Sequence, residues 1–288
     1  MLNTNKMQSD INTLCQKYSD YSLDHYTKDP DLILNTDPDT LLCDYGSLET
    51  DTDRQAFASF CGQLAQLGMK TGQFALAKSF AEKSFALEPR DDVQALLEKA
   101  QLYTDMTTEI NEFYTKFRGN NLETPAEEAA YISAAAAILD RYESSVQDTA
   151  EKMALATFLS CLGSKFMVYT YNLHQGRLYY QKALALCPDS YKIHWGYYTS
   201  LEEIVEDEEQ ATPELIQDAI DCLTFCIGYC KTPALCRENY IQYRYFELAR
   251  VYMAANNPAK AKECAEKSLA IEWNETVQKF IEKLEKQL

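Results

Sequence analysis

Residues 64–91, LAQLGMKTGQFALAKSFAEKSFALEPRD, decide how the rest of the chain is read. Apolar and small residues recur at three- and four-residue spacing on both sides of Lys70-Thr71-Gly72, the period of a helix that buries one face. The stretch therefore predicts two helices joined by a tight turn. Gly72 suits the position just past a helix end, where a positive φ is needed. Pro89 follows the second helix and cannot continue it. On that helix Ala77, Ala81 and Ser84 fall on one stripe, so a neighbouring helix can approach closely.

The pattern returns further along. Residues 75–88 (ALAKSFAEKSFALE) and 259–272 (AKAKECAEKSLAIE) agree at nine of fourteen positions. Upstream of the later copy, Tyr245, Leu248, Ala249 and Tyr252 keep the first-helix pattern. Asn256-Asn257-Pro258 replaces the turn glycine there, and Trp273 the closing proline. A third, weaker unit ends in YQKALALCP, residues 180–188, with Gly176 at its small position and a first helix near residues 162–171. Internal self-similarity on this scale marks a helical solenoid. The alternative is an ordinary bundle whose Ala-rich helices look alike by composition.

The hairpin resembles one tetratricopeptide repeat. Leu64 and Ala65 stand for the family's Leu-Gly pair, Gly72 holds the turn, Ala77, Ala81 and Ser84 take the small positions, and Pro89 closes the unit. Cys61 and Gly68 depart from the pattern, standing where the family prefers large aromatic residues. Three units carry the resemblance, near residues 58–91 and 242–275 and more weakly near 157–190. The resemblance implies an all-α, right-handed α-solenoid of antiparallel helical hairpins over residues 51–288. In such arrays the first helices line a concave groove that holds a protein or peptide. By that alignment Gln66, Met69 and Lys70 face the groove from the first repeat, and Tyr243, Phe246, Arg250 and Met253 from the last. Family members that clamp the carboxyl end of heat-shock proteins use Lys and Asn where this chain has Gly62 and Gln66, so that specialised clamp is not expected.

Composition sets limits independently. The net charge is −17, with 27 Lys+Arg against 44 Asp+Glu and no basic run, which disfavours nucleic acid and anionic membrane surfaces. A partner drawn by charge is basic or locally basic; the acidity also serves solubility alone. No run reaches the ~18–20 apolar residues of a bilayer span. The start, MLNTNKMQSD, lacks the basic-then-apolar order of a secretory signal. Ten cysteines scattered through helical patterns read as reduced thiols in a cytoplasm.

Along the chain, residues 1–50 form an acidic arm or a capping segment. A helix is expected near residues 7–18, with Ile11, Leu14, Cys15 and Tyr18 on one side. Asp29-Pro30-Asp31 and Asp37-Pro38-Asp39 read as helix caps and turns, since the glycine of a calcium loop is missing at the required offset. Helices follow over 91–117, from Thr124-Pro125, over 149–174, 191–205 and 213–230, and an amphipathic helix over 274–288 closes the array. The run Glu206-Asp207-Glu208-Glu209 is either a solvated helix end or a docking site for a basic peptide.

Few residues suit chemistry. Cys222, Cys226 and Cys230 recur every four residues, which spreads them over ~12 Å of helix axis, whereas zinc holds thiolates at ~2.3 Å. With Ala219 and Ile227 they read as core. His25, His174 and His194 fall in no zinc spacing, and no nucleophile elbow or phosphate loop is present. Cys187 and His194 are near in sequence and nothing more. No catalytic residue, metal or cofactor is expected. The twenty tyrosines either supply a recognition surface or fill helix interfaces with their hydroxyls at the rim. The reading is a protein- or peptide-binding scaffold, adaptor or chaperone-like assembly factor. An enzyme using a thiol or carboxylate and a peptide-sensing regulator are the other readings.

Overall fold

The computed structural model describes residues 2–18, 36–119, 122, 124–207, 209–230 and 238–286. Asp29-Pro30-Asp31, His25, Glu208 and Cys236 lie outside these residues. All regular structure among the described residues is helical: α1 (Thr4–Lys17), α2 (Pro38–Tyr45), α3 (Asp51–Lys70), α4 (Phe74–Leu87), α5 (Asp91–Lys116), α6 (Pro125–Tyr142), α7 (Thr149–Val168), α8 (Leu173–Leu186), α9 (Tyr191–Glu206), α10 (Pro213–Cys230), α11 (Glu238–Ala254), α12 (Pro258–Ile271) and α13 (Glu275–Glu285). The chain forms two compact units, Met1–Leu155 and Ala156–Leu288, with the boundary inside α7.

In the first unit α3 packs on α4, α4 on α5 and α5 on α6, α3 also meets α5, and α1 lies on α3 while α2 meets α1 and α4. The second unit repeats the scheme, with α9 meeting both α10 and α11 and α12 meeting α13. Contact with the next helix and the next but one is how an α-solenoid of helical hairpins stacks, because a single hairpin cannot bury both faces of its apolar stripe.

Local chemistry sets the boundaries. Thr50 with Asp53 and Thr124 with Glu127 form reciprocal capping boxes that open α3 and α6. Asp37 caps α2, accepting from the backbone of Asp39 and Thr40 with Pro38 just inside. α1 buries Met7, Ile11 and Leu14 with Tyr18 against α3, alongside Leu41 and Tyr45 of α2. Cys15, expected on that face, is exposed; Met7 completes the stripe one turn before Ile11 instead.

The two clear repeats correspond at a constant offset of 184 positions, from 72 to 256 and from 84 to 268. Ala77, Ala81, Ala261 and Ala265 are completely buried. The Ser84 hydroxyl donates to the Ala58 carbonyl at 2.8 Å, and Ser268 donates to Gln242 at 3.0 Å. Both turns place a residue in the left-handed region, Gly72 at φ 76° and Asn256 at φ 52°. In each, the following N–H reaches five residues back, Gln73 to Gly68 and Asn257 to Tyr252, which is the Schellman closure.

The weak unit departs where its sequence does. The helix expected over 149–174 breaks: α7 ends at Val168 and His174 belongs to α8. Tyr171 takes the left-handed turn position at φ 53°, a costly place for an aromatic residue. Asn172 then caps α8, accepting from the Gln175 N–H. Tyr180 fills the position that Ala81 holds in the first repeat, and room for its ring comes from Gly163. A Cβ there would sit 2.6 Å from Tyr180 Cδ2.

Candidate functional site

The expected groove residues belong to α3 and α11 and range from buried Met69 to exposed Tyr243. In the first unit Gln66, Met69 and Lys70 line a cavity of about 470 Å³ with Leu96, Lys99 and the turn at Gln147–Ala150. Met69 is largely buried, whereas Gln66 and Lys70 are exposed. The Lys70 ammonium donates to the Tyr18 carbonyl at 2.6 Å, at the C-terminal end of α1 where a cation is favoured. Lys99 pairs with Asp148 and lies 3.3 Å from Glu151. Glu151 is 1% exposed and accepts from the Gln147 and Asp148 N–H groups at the start of α7. Both ammonium groups of this cavity therefore have structural partners.

In the second unit Phe246, Arg250 and Met253 line a larger cavity, about 860 Å³. α9 adds Val205 and Glu206, α10 adds Ile216, and α13 adds Thr276 and Phe280. Phe246 and Phe280 meet edge to face with centroids 5.5 Å apart, a favoured aromatic geometry. Tyr243 is not in this wall; it is 55% exposed. Sequence reasoning missed Phe280. Its signal was the α13 stripe Val277, Phe280, Ile281 and Leu284, read only as a cap.

Gln66, Met69 and Lys70 stand 184 positions before Arg250, Met253 and Ala254, and every one of the six lines a cavity of its own unit. The same face of the first helix thus opens onto a cavity in both repeats.

Arg250 is held rather than free. Its guanidinium lies 2.8 Å from Glu247, 3.4 Å from Glu202 and 2.5 Å from Glu206. Of these pairs, Glu247–Arg250 lies within one helix at i,i+3 spacing. Glu247 also accepts the Tyr198 hydroxyl at 2.7 Å. Burial, and then the Glu247 charge, push the Glu202 carboxyl above its ordinary range.

The other aromatic residues divide in two. Tyr103, Tyr142, Tyr180, Tyr197 and Tyr198 are fully buried and place their hydroxyls on Ser145, Glu109, Gly196, Asp218 and Glu247 respectively. These are interface fillers. Tyr169, Tyr171, Tyr240 and Tyr243 are exposed. None of the nine cysteines among the described residues is in a disulfide. Cys222, Cys226 and Cys230 are buried on the inner stripe of α10 with Ala219 and Ile227. Burial pushes the Cys226 thiol up to about 12 and raises Cys222 as well, which suppresses the thiolate that nucleophilic chemistry needs. His194 stacks on Phe225 with centroids 3.9 Å apart, its Nε2 2.8 Å from the Pro188 carbonyl. Among the described residues no helix is long and apolar enough to cross a membrane.

Comparison with known proteins falls on the two corresponding hairpins. Residues 58–91 and 243–272 match the tetratricopeptide repeat. The tetratricopeptide hairpins are therefore those built on α3–α4 and α11–α12, and the weak unit on α7–α8 lies outside the matched segments. No curated protein matches the chain. A solved structure described as the assembly chaperone of RpL4 (Acl4), residues 1–338, is similar over 99% of this chain and 96% of that one, at 12% identity and a TM-score of 0.30.

Proposed function

We propose that the chain is a protein-binding scaffold or adaptor, without catalysis of its own, that holds a segment of a partner polypeptide on the first-helix faces of its tetratricopeptide hairpins. The observation that carries this is the recurrence of one lining: corresponding positions of α3 and α11 open onto a cavity in each unit. A stacked hairpin leaves this face uncovered as a consequence of its architecture. Half-buried Phe246 offers contact area there with few rotors to immobilise, and half-buried Met253 adds an adaptable apolar side chain. Tyr243, exposed one turn before Phe246, fits the rim of the same face. Ten cysteines scattered through helical patterns fit a reducing, cytoplasmic setting.

The test is affinity capture from the source cell with the intact protein and a Phe246→Ala, Met253→Ala double variant of matched circular dichroism. A partner captured by the first and lost from the second supports the proposal. A partner retained by both moves binding away from α11. Arg250→Ala is a poorer probe, because it leaves Glu202, Glu206 and Glu247 facing one another without their cation.

A further inference from the structure

The second unit carries a feature that specifies what kind of segment would bind, on the reading that this face binds a polypeptide at all. The cavity beneath Phe246 borders another of about 620 Å³, and the Glu206–Arg250 ion pair lines both. The first is apolar on its main walls, with Phe246, Phe280, Met253 and Ile216. The second is acidic: Glu202, Glu203, Glu206 and Asp207 surround it against the single Arg250. Val168 and Tyr171 stand at its rim, 45% and 64% exposed.

The charges do not cancel internally. Arg250 is engaged by Glu202, Glu206 and by Glu247 behind them, so one guanidinium serves three carboxylates. Among the described residues, Asp207 accepts from neutral groups of its own loop, the Glu209 N–H and the Gln210 amide. Glu203 is exposed. The acidic cavity thus keeps a net negative potential beside the apolar one. A guanidinium or ammonium entering it is favoured by that potential, and a carboxylate or phosphate is repelled. Tyr171 offers an aromatic face for the same cation.

We propose that the two adjoining cavities take a basic amphipathic segment of a partner polypeptide, its large apolar side chain under Phe246 and Phe280 and a flanking Lys or Arg against Glu203 and Asp207. Arg250 is the internal precedent, showing a guanidinium accommodated among these carboxylates.

The experiment uses fluorescein-labelled synthetic peptides and the intact protein, read by anisotropy. One probe is a sixteen-residue amphipathic peptide of Leu and Lys; the other replaces every Lys by Glu. The Leu/Lys peptide is expected to bind at least ~10-fold more tightly than the Leu/Glu peptide, with affinity falling as salt rises. Glu203→Lys is expected to weaken it by ~10-fold, as is Phe280→Ala. Asp140→Lys, an equal charge change on exposed α6, is expected to leave it within ~2-fold. Equal losses from Glu203→Lys and Asp140→Lys would mean attraction to net charge and overturn the proposal. Failure of the Leu/Lys peptide to bind, or equal binding of both peptides, overturns it too. Should Phe280→Ala weaken both peptides while Glu203→Lys affects neither, the groove stands and its basic preference falls. Loss with Glu203→Lys but none with Phe280→Ala or Phe246→Ala overturns both readings.

Discussion

Replacing Gly163 by Ala tests the packing logic of the weak repeat. A Cβ at this position would lie 2.6, 2.8 and 3.0 Å from Cδ2, Cε2 and Cγ of Tyr180. The ring has nowhere to retreat. Tyr180 is 1% exposed and stacked on Tyr197 with centroids 4.3 Å apart. Its hydroxyl is anchored 2.9 Å from the Gly196 carbonyl and 2.8 Å from Ser200 Oγ. Overpacking of this kind costs about 1–3 kcal/mol, and the anchored ring places the site in the upper part of that range. Glycine inside a helix is itself worse than alanine by about 0.5–1 kcal/mol, which offsets part of the cost. The net expectation is a loss of about 1–2 kcal/mol. Gly228 supplies the control: it lies in α10, is exposed, and a Cβ there meets nothing within 4 Å. Gly228→Ala is expected to gain about 0.5–1 kcal/mol. In urea the two midpoints should therefore move in opposite directions from the parent, read by far-ultraviolet circular dichroism. A stabilising Gly163→Ala would refute the claim that Tyr180 occupies its small-residue position only because Gly163 faces it.

Three further outcomes follow from the geometry. Ser84→Ala and Ser268→Ala each remove one buried hydroxyl bond to the preceding helix, and each should lower stability by about 1 kcal/mol; widely unequal losses in urea titrations would count against equivalent repeats. Tyr171→Gly relieves a left-handed backbone while giving up a ring that is 64% exposed, so a gain of about 1 kcal/mol is expected, and a loss in the same titration would mean that the ring packs. Alkaline pH should destabilise the fold. Burial raises the hydroxyls of Tyr103, Tyr142, Tyr180, Tyr197 and Tyr198, so above the ordinary tyrosine value near ~10 the folded chain holds more protons than the unfolded one. Stability then falls as pH rises. Absorbance titration should find fewer ionised tyrosines in the native than in the urea-unfolded chain at the same pH.

The repeats were legible because their rules are local. Small residues at three- and four-residue spacing, a residue tolerant of positive φ at the turn, and a serine on the inner stripe all lie within one hairpin. Gly72 and Asn256 announce their turns for that reason. The turn at Tyr171 was hidden because neither glycine nor proline marks it, and the helix was therefore extended to His174. The expectation of a groove rested only on alignment to the family pattern. That alignment named Phe246, Arg250 and Met253, which line one cavity, together with Tyr243, which does not, and it could not supply Phe280, Glu202 or Glu206, which arrive from other helices by tertiary packing. It also could not say that Lys70 ties down α1 or that Arg250 is held by three glutamates. Tyrosine excess was ambiguous in principle, since one side chain serves both a buried interface and an exposed surface.

The most direct test of the central claim is site-specific photo-crosslinking with the intact protein in extract of its source cell. A photo-reactive phenylalanine analogue is placed in turn at Gln66 and Met253 on the cavity-lining faces, and at exposed Glu82 on α4. The account predicts adducts with a partner polypeptide from Met253 or Gln66 and none from Glu82. Adducts formed from Glu82 alone, or equally from all three positions, would contradict it.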